Sequence, residues 1–231
     1  MSLILCIETA TEVCSVALSQ NGLSISSACI EKGNSHASQL HILVQHCLQK
    51  SGYVLNQMDA IAVSKGPGSY TGLRVGVSAA KGYCYALAIP LIAIDSLTSL
   101  TNRFLKTHQV EPNTLLVPMI DARRMEVYTC ILDQKLSIVE PIEARIINEH
   151  SYAHLLKQQS LLFFGNGSEK CIPFLQDPHA TFIHETKSGA EGLCSLAEIA
   201  FENKNFENTA YFEPYYLKDF VGTIPKKFSG F

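Results

Sequence analysis

Three groups of residues in this sequence could do chemistry: histidines at regular spacing, cysteines, and a glycine-rich loop. His36, His41 and His46 fall five residues apart. On a helix, five residues turn through about 500°, so successive rings lie about 140° apart and cannot share a metal. His150 and His154 are four apart and could share a face. Between them stand Ser151, Tyr152 and Ala153, without the glutamate that an H-E-x-x-H zinc peptidase uses as its base. They read as a surface pair. The eight cysteines form no C-x-x-C pair, which argues against a zinc ribbon or a thioredoxin-type site. Most sit in apolar runs, such as LILCI around Cys6 and GYCYALA around Cys84, and read as small hydrophobes. Free thiols in a chain of this length point to a reducing, cytoplasmic setting.

The glycine-rich loop is Lys65-Gly66-Pro67-Gly68-Ser69-Tyr70-Thr71-Gly72-Leu73-Arg74. It joins a short apolar strand to a helix, where backbone N–H groups and the positive helix end can meet an anion. It fits neither standard phosphate template. Thr71 stands at the third glycine of G-x-G-x-x-G, and Leu73 follows Gly72 where a P-loop needs lysine. Pro67 also removes a donor. The expectation is a tight turn that sets the position of the helix.

These residues must be placed by a chain of 231 residues, 47% hydrophobic and 17% charged, with a net charge of -3. That composition excludes disorder and a strongly basic nucleic-acid binder. No apolar run approaches the roughly 18–20 residues of a membrane span. The first residues lack a basic region and reach Glu8 too soon for a signal peptide. Strands are expected at 3–7, 13–18 and 23–30, with Asn21-Gly22 as a type I′ hairpin turn. A helix follows at 35–50, with Leu40, Leu43, Val44, Cys47 and Leu48 at helical spacing and Asn34 or Ser35 as N-cap. Then come a strand at 60–64, a helix at 72–88, a strand at 91–94 and a helix at 95–106 begun by Asp95 or Ser96. The second half repeats this mixed α/β grammar, with strands at 115–120, 125–132, 136–140 and 161–164 and helices at 148–159 and 189–203. The chain therefore divides into an N-terminal lobe (1–105), a C-terminal lobe (106–210) and an aromatic-rich tail (211–231) that packs on the body or on a partner.

The helix at 72–88 is apolar over most of its circumference. Gly72, Gly76, Ala79, Tyr83 and Leu87 fall on one stripe, and Leu73, Val77, Cys84 and Ala88 on a second. Such a helix needs more than one neighbour. Two readings stand: a well-buried helix within the lobe, or a glycine-bearing face kept for close contact across an interface.

The run SKGPGSYTGLRVGVSAAKGYCYALAIPLIAIDSL (64–97) resembles the signature of the bacterial TsaB (YeaZ) family. The opening ILCIETATEVCSVAL (4–18), the histidine-serine helix start at 35–38 and the late EPYYLK (213–218) fit the same family, so the resemblance spans the chain. It implies an ASKHA fold (actin/hexokinase/Hsp70-like) with two ribonuclease-H-like lobes. It also implies a role in forming N6-threonylcarbamoyladenosine next to the anticodon of tRNA. There, family members act beside a catalytic paralogue, TsaD, and a small ATPase, TsaE. The paralogue carries a metal-binding H-x-x-x-H where this chain has Ser96 and Leu100, and neither replaces an imidazole. The first phosphate loop of ASKHA enzymes corresponds to Glu8-Thr9-Ala10-Thr11, with Glu8 in place of the usual aspartate and no glycine. Asp121 begins the match to the second phosphate loop, and Gly165-Asn166-Gly167 resembles an adenosine-side turn.

The expectation is a non-catalytic subunit that holds no cofactor or metal alone and activates the TsaD-type protein as a heterodimer. ATP or ADP with magnesium would sit at the interface of the complex. Glu8, Thr9, Asp121, Gly165 and Gly167 are the weak cofactor-side candidates. Leu40, Leu43, Val44, Cys47, Gly72, Arg74, Gly76, Ala79, Ala80 and Tyr83 are the expected partner interface, and a homodimer could form through the same helices when the partner is missing. Contact with tRNA is expected to be indirect or weak, through a tail made locally basic by Lys218, Lys226 and Lys227. The alternatives are an ATP-dependent phosphotransferase using Glu8 and Asp121, and a metallopeptidase-like enzyme of the same superfamily.

Overall fold

In the computed structural model, which describes residues 1–31, 36–184 and 186–218, the chain opens on β1 (Leu3–Glu8), β2 (Cys14–Gln20) and β3 (Leu23–Ile30). The β2–β3 turn has φ 49° at Asn21 and 78° at Gly22, the left-handed pair that a type I′ hairpin requires. After α1 (His36–Ser51) come β4 (Ala60–Gly66), α2 (Tyr70–Leu87), β5 (Leu91–Asp95) and α3 (Ser96–Leu105). Asp95 caps α3 by accepting from Thr98 N at 2.9 Å, and Ser69 caps α2 by accepting from Gly72 N at 3.3 Å. The N-cap expected for α1 lies outside the described residues. The remaining elements are β6 (Leu115–Asp121), β7 (Glu126–Leu132), β8 (Ile138–Ile146), α4 (Ala153–Leu156), β9 (Leu161–Phe164), β10 (Ala180–Ile183) and α5 (Cys194–Glu202).

The two sheets are topological copies. The first runs β3-β2-β1-β4-β5, and the second runs β8-β7-β6-β9-β10. In each, two antiparallel strands flank one side of a central strand and two parallel strands the other. The central strand β1 is buried along its whole length, as its unbroken apolar run requires. Leu3, Leu5 and Ile7 face α1 and α2, beside Leu40, Val44, Val77 and Ala80. Ile4 and Cys6 face the opposite way, onto Leu193, Cys194 and Ala197.

That second contact corrects the expected lobe boundaries, because α5 follows the second sheet in sequence yet covers the first. Conversely, α3 puts Leu97, Leu100 and Phe104 onto Leu116, Ile120 and Phe164 of the second sheet, with the Phe104 and Phe164 rings stacked at 4.2 Å. α3 meets the turn that leads into α5, where Asn102 Nδ2 donates to Gly192 O at 2.7 Å and to Ser195 Oγ of α5 at 2.9 Å. A stripe of apolar residues says that a helix is covered, not by which sheet.

The expected helix at 148–159 is reduced to the single turn of α4. Tyr152 sits at φ 62° with its side chain buried, its hydroxyl donating to Thr129 Oγ1 at 3.3 Å. Arg145 lies 4.3 Å over its ring. Drawing Tyr152 into the core forces a left-handed residue into the segment, which a helix cannot hold. Of the tail, Phe212 packs against the first core and the Tyr216 ring lies tilted against that of Tyr70, 4.7 Å between centroids. Phe220, Lys226, Lys227, Phe228 and Phe231 lie outside the described residues. Among the described residues, no helix is long and apolar enough to cross a membrane.

Candidate functional site

The cofactor-side candidates sit at the ends of β1, β6 and β9, and apart from the buried Thr9 Oγ1, which has no partner among the described residues, their polar groups are engaged within the chain. The Glu8 side chain is buried at the end of β1. Its Oε1 accepts from Ala10 N at 2.7 Å and from Ser64 Oγ at 2.8 Å. Burial, with a smaller push from the nearby Asp95 charge, raises its carboxyl to about 7. Thr9 N donates to Ser64 Oγ at 3.4 Å and Val13 N to Thr11 Oγ1 at 3.3 Å. The amides of Thr9, Ala10 and Val13 are thus spent internally rather than offered to a phosphate.

The glycine-rich loop seals this turn from outside. Ser69 N donates to Ala10 O at 2.7 Å. A Cβ at Gly68 would fall closer than 3.0 Å to Ala10 O, one at Gly72 to Thr9 O, and one at Gly76 to Thr9 Oγ1. Gly72 and Gly76 of α2 therefore allow close approach, but to the β1–β2 turn of the same chain. This corrects the expectation that Gly72 and Gly76 face a partner.

On the other lobe, Asp121 pairs with Lys170, and its Oδ1 also accepts from Arg123 N at 3.0 Å. Gly165, at φ 100°, lies against Met119 O, where a side chain would clash. Gly167 N donates to Met119 O at 3.0 Å, and Asn166 Oδ1 accepts from Asp121 N at 3.0 Å. The Gly165–Gly167 turn thereby binds the end of β6. Glu12 Oε2 accepts from Asn166 Nδ2 at 2.6 Å, joining the two lobes across the cleft mouth. The residues matched to the paralogue's histidines are structural as well. Ser96 Oγ accepts from Gly66 N at 3.1 Å, and Leu100 packs in the second core. Among the described residues, no three His, Cys, Asp or Glu side chains converge as a metal ion would need.

The expected partner residues divide by burial. Leu40, Leu43, Val44, Cys47, Gly72, Gly76 and Ala80 are buried in the monomer and are unavailable to a partner. Arg74, Ala79 and Tyr83 remain at the surface, lining an open groove of about 670 Å³ with His41, Val75 and Gly82. His41 Nδ1 and the Tyr83 hydroxyl meet at 2.6 Å across the α1–α2 seam. Arg74 lies 4.3 Å over the Tyr70 ring, and its Nε donates to the Tyr216 hydroxyl at 3.4 Å. On the same two helices, Ile42 is 56% and Tyr85 88% exposed. Val75, Ser78, Ala79, Gly82 and Ala86 form a stripe of small residues about a quarter-turn from the one read from the sequence. The wheel carried this signal, since these positions also recur at helical spacing, but it could not say which small face was outside.

Two sheets with the same ribonuclease-H-like strand order, crossed by exchanged helices, define a two-lobed α/β protein of the ASKHA class. A model of the family described as TsaD, tRNA N6-adenosine threonylcarbamoyltransferase, matches residues 31–170. The curated relative named tRNA threonylcarbamoyladenosine biosynthesis protein TsaB in Bacillus subtilis is 31% identical, over 88% of each chain. The relative of that name in Haemophilus influenzae is 28% identical, over 94% of each. Among solved structures, YeaZ from Pseudomonas aeruginosa superposes with a TM-score of 0.78 at 28% identity, covering 94% of this chain and all of that one. The chain belongs to the TsaB family.

Proposed function

We propose that this chain is a non-catalytic subunit in the biosynthesis of threonylcarbamoyladenosine in tRNA, and that it binds and activates a TsaD-type transferase. One observation carries this reading. The α1–α2 groove leaves apolar and small side chains uncovered, whereas Glu8 and the turn after β1 are engaged by the chain's own hydrogen bonds and close glycine contacts. A helix pair with an uncovered small-residue face suits a paralogous helix pair, because small side chains let backbones approach closely. In this reading ATP or ADP with magnesium is held between the two proteins rather than by this chain alone. A TsaE-type ATPase joins the pair, and a homodimer uses the same face when the transferase is missing. The engagement of Glu8 and Asp121 within the chain disfavours a phosphotransferase centred on them.

The test is Ser78→Lys. Ser78 is exposed in the groove, so the isolated variant keeps the wild-type melting temperature, while docking would bury an unpaired ammonium. Affinity for the transferase, measured by calorimetry, falls at least about tenfold, or about 1.4 kcal/mol. Unchanged affinity removes this face from the interface.

A further inference from the structure

Arg123 and Arg124 form the exposed tip of the β6–β7 hairpin, at φ 69° and 51°. Two successive non-glycine residues in the left-handed region are uncommon and cost free energy, so the surrounding structure must hold them there. It does so from beneath. Lys170 Nζ donates to Arg124 O at 2.8 Å and Glu126 O at 2.7 Å, and also pairs with Asp121. The ammonium thus ties together the carbonyls of Arg124 and Glu126, while Glu126 N donates to Arg123 O at 3.2 Å. Neither guanidinium has an ion pair or hydrogen bond among the described residues. The carboxylates closest in sequence are otherwise engaged, Asp121 by Lys170 and Glu126 by Lys218, which leaves Glu169 on an exposed turn. The tip therefore presents two exposed guanidiniums on a held backbone, with Glu169 and Glu12 the nearby carboxylates outside the ion pairs.

Its place matters as much as its charge. Asp121, at the base of the hairpin, is tied through Asn166 to Glu12 across the cleft mouth. His36, at the start of α1, contacts Thr11 O at 3.0 Å beside it. The base of the hairpin is thus linked by hydrogen bonds to the β1–β2 turn, which the start of α1 also touches. We propose that Arg123 and Arg124 form a phosphate-binding tip that grips the backbone of the tRNA whose adenosine is modified. This deepens the function proposed above and rests on it for the identity of the RNA. Guanidinium forks match phosphodiester oxygens in a bidentate geometry and carry no sequence preference.

The experiment titrates a tRNA transcript, at several salt concentrations, against the full-length chain alone and against its complex with the transferase. Wild type is compared with Arg123→Gln/Arg124→Gln and with Arg123→Lys/Arg124→Lys, and melting temperature checks that both variants fold. The glutamine variant weakens tRNA binding about tenfold near physiological salt and lowers the slope of log K against log salt by about 1–2, one per lost contact. The lysine variant recovers part of both, and complex formation is unchanged. Equal tRNA affinity and slope in wild type and glutamine variant, with the complex intact, overturns the proposal. So does a loss confined to a parallel Mg-ATP titration, which would assign the tip to a nucleotide. Failure of the wild-type chain to bind the transferase contradicts the proposed function instead, and the titration of the chain alone still decides the arginines.

Discussion

Two glycines of α2 that differ only in what they face should respond in opposite directions to the same substitution. At Gly72 a Cβ would lie closer than 3.0 Å to the Thr9 carbonyl oxygen and 3.3 Å from its carbon, against an ordinary contact of 3.4–4 Å. The added carbon is set by the helix backbone and the atoms it meets are backbone, so no rotamer change relieves it, and the Thr9 side is buried. Overpacking of this kind costs about 1–3 kcal/mol, of which the helix propensity gained by alanine returns up to about 1. Gly72→Ala is therefore expected to lose about 1–2 kcal/mol. At Gly82 nothing lies within 4 Å of the added carbon, and Gly82→Ala gains about 0.5–1 kcal/mol. In a chain of this size the two variants should differ in Tm by several degrees, at about 2–4 °C per kcal/mol. Urea titration followed by far-ultraviolet circular dichroism measures the difference directly. If Gly72→Ala proves as stable as wild type, α2 is not seated on the β1–β2 turn, and the division of its glycines into inner and outer faces is wrong.

Two further perturbations probe the body of the fold. Glu8 ordinarily titrates near 4.5, and burial holds it near 7 in the folded chain. The folded state therefore binds the proton more tightly. The stability this contributes is full below about pH 4.5 and is lost as pH rises through 7, a difference of about 3 kcal/mol. Glu8→Gln keeps an acceptor for Ala10 N and Ser64 Oγ, should flatten that fall, and should exceed wild type above pH 7; parallel stability curves for the two proteins would contradict the burial argument. Phe104→Ala should cost about 3–5 kcal/mol and still give one cooperative transition, because α3 joins the lobes. Calorimetry that resolves two transitions, with the first sheet unaffected, would refute that joining.

Much of the framework was legible because the local signals were strong. The run Leu3–Ile7, the Asn21-Gly22 turn and the Leu40–Leu48 spacing each name their element, and each forms where expected. Where tertiary contacts override local preference, the sequence misleads. Tyr152 breaks a helical pattern to reach Thr129, and β10 is too short and too exposed to announce itself. The exchange of α3 and α5 is invisible in sequence, since Leu97 and Ala197 each show only that they are covered. The same limit governs the site. Small residues on α2 announce close approach, yet only the structure separates Gly72 and Gly76, which meet Thr9, from Ala79 and Gly82, which line the groove. The Arg123–Arg124 tip lay within a stretch read as a degenerate phosphate loop, and its left-handed backbone leaves no mark in residue type.

The most direct measurement is reconstitution of threonylcarbamoyladenosine formation on a tRNA transcript, with this chain, the TsaD-type transferase and the TsaE-type ATPase added or withheld one at a time. The chain alone is expected to give no modified adenosine. The transferase should gain activity when the wild-type chain is added, but not when Ser78→Lys replaces it. Modification by the isolated chain, or full activation by Ser78→Lys, would contradict the assignment of this protein as an activating subunit that works through its α1–α2 face.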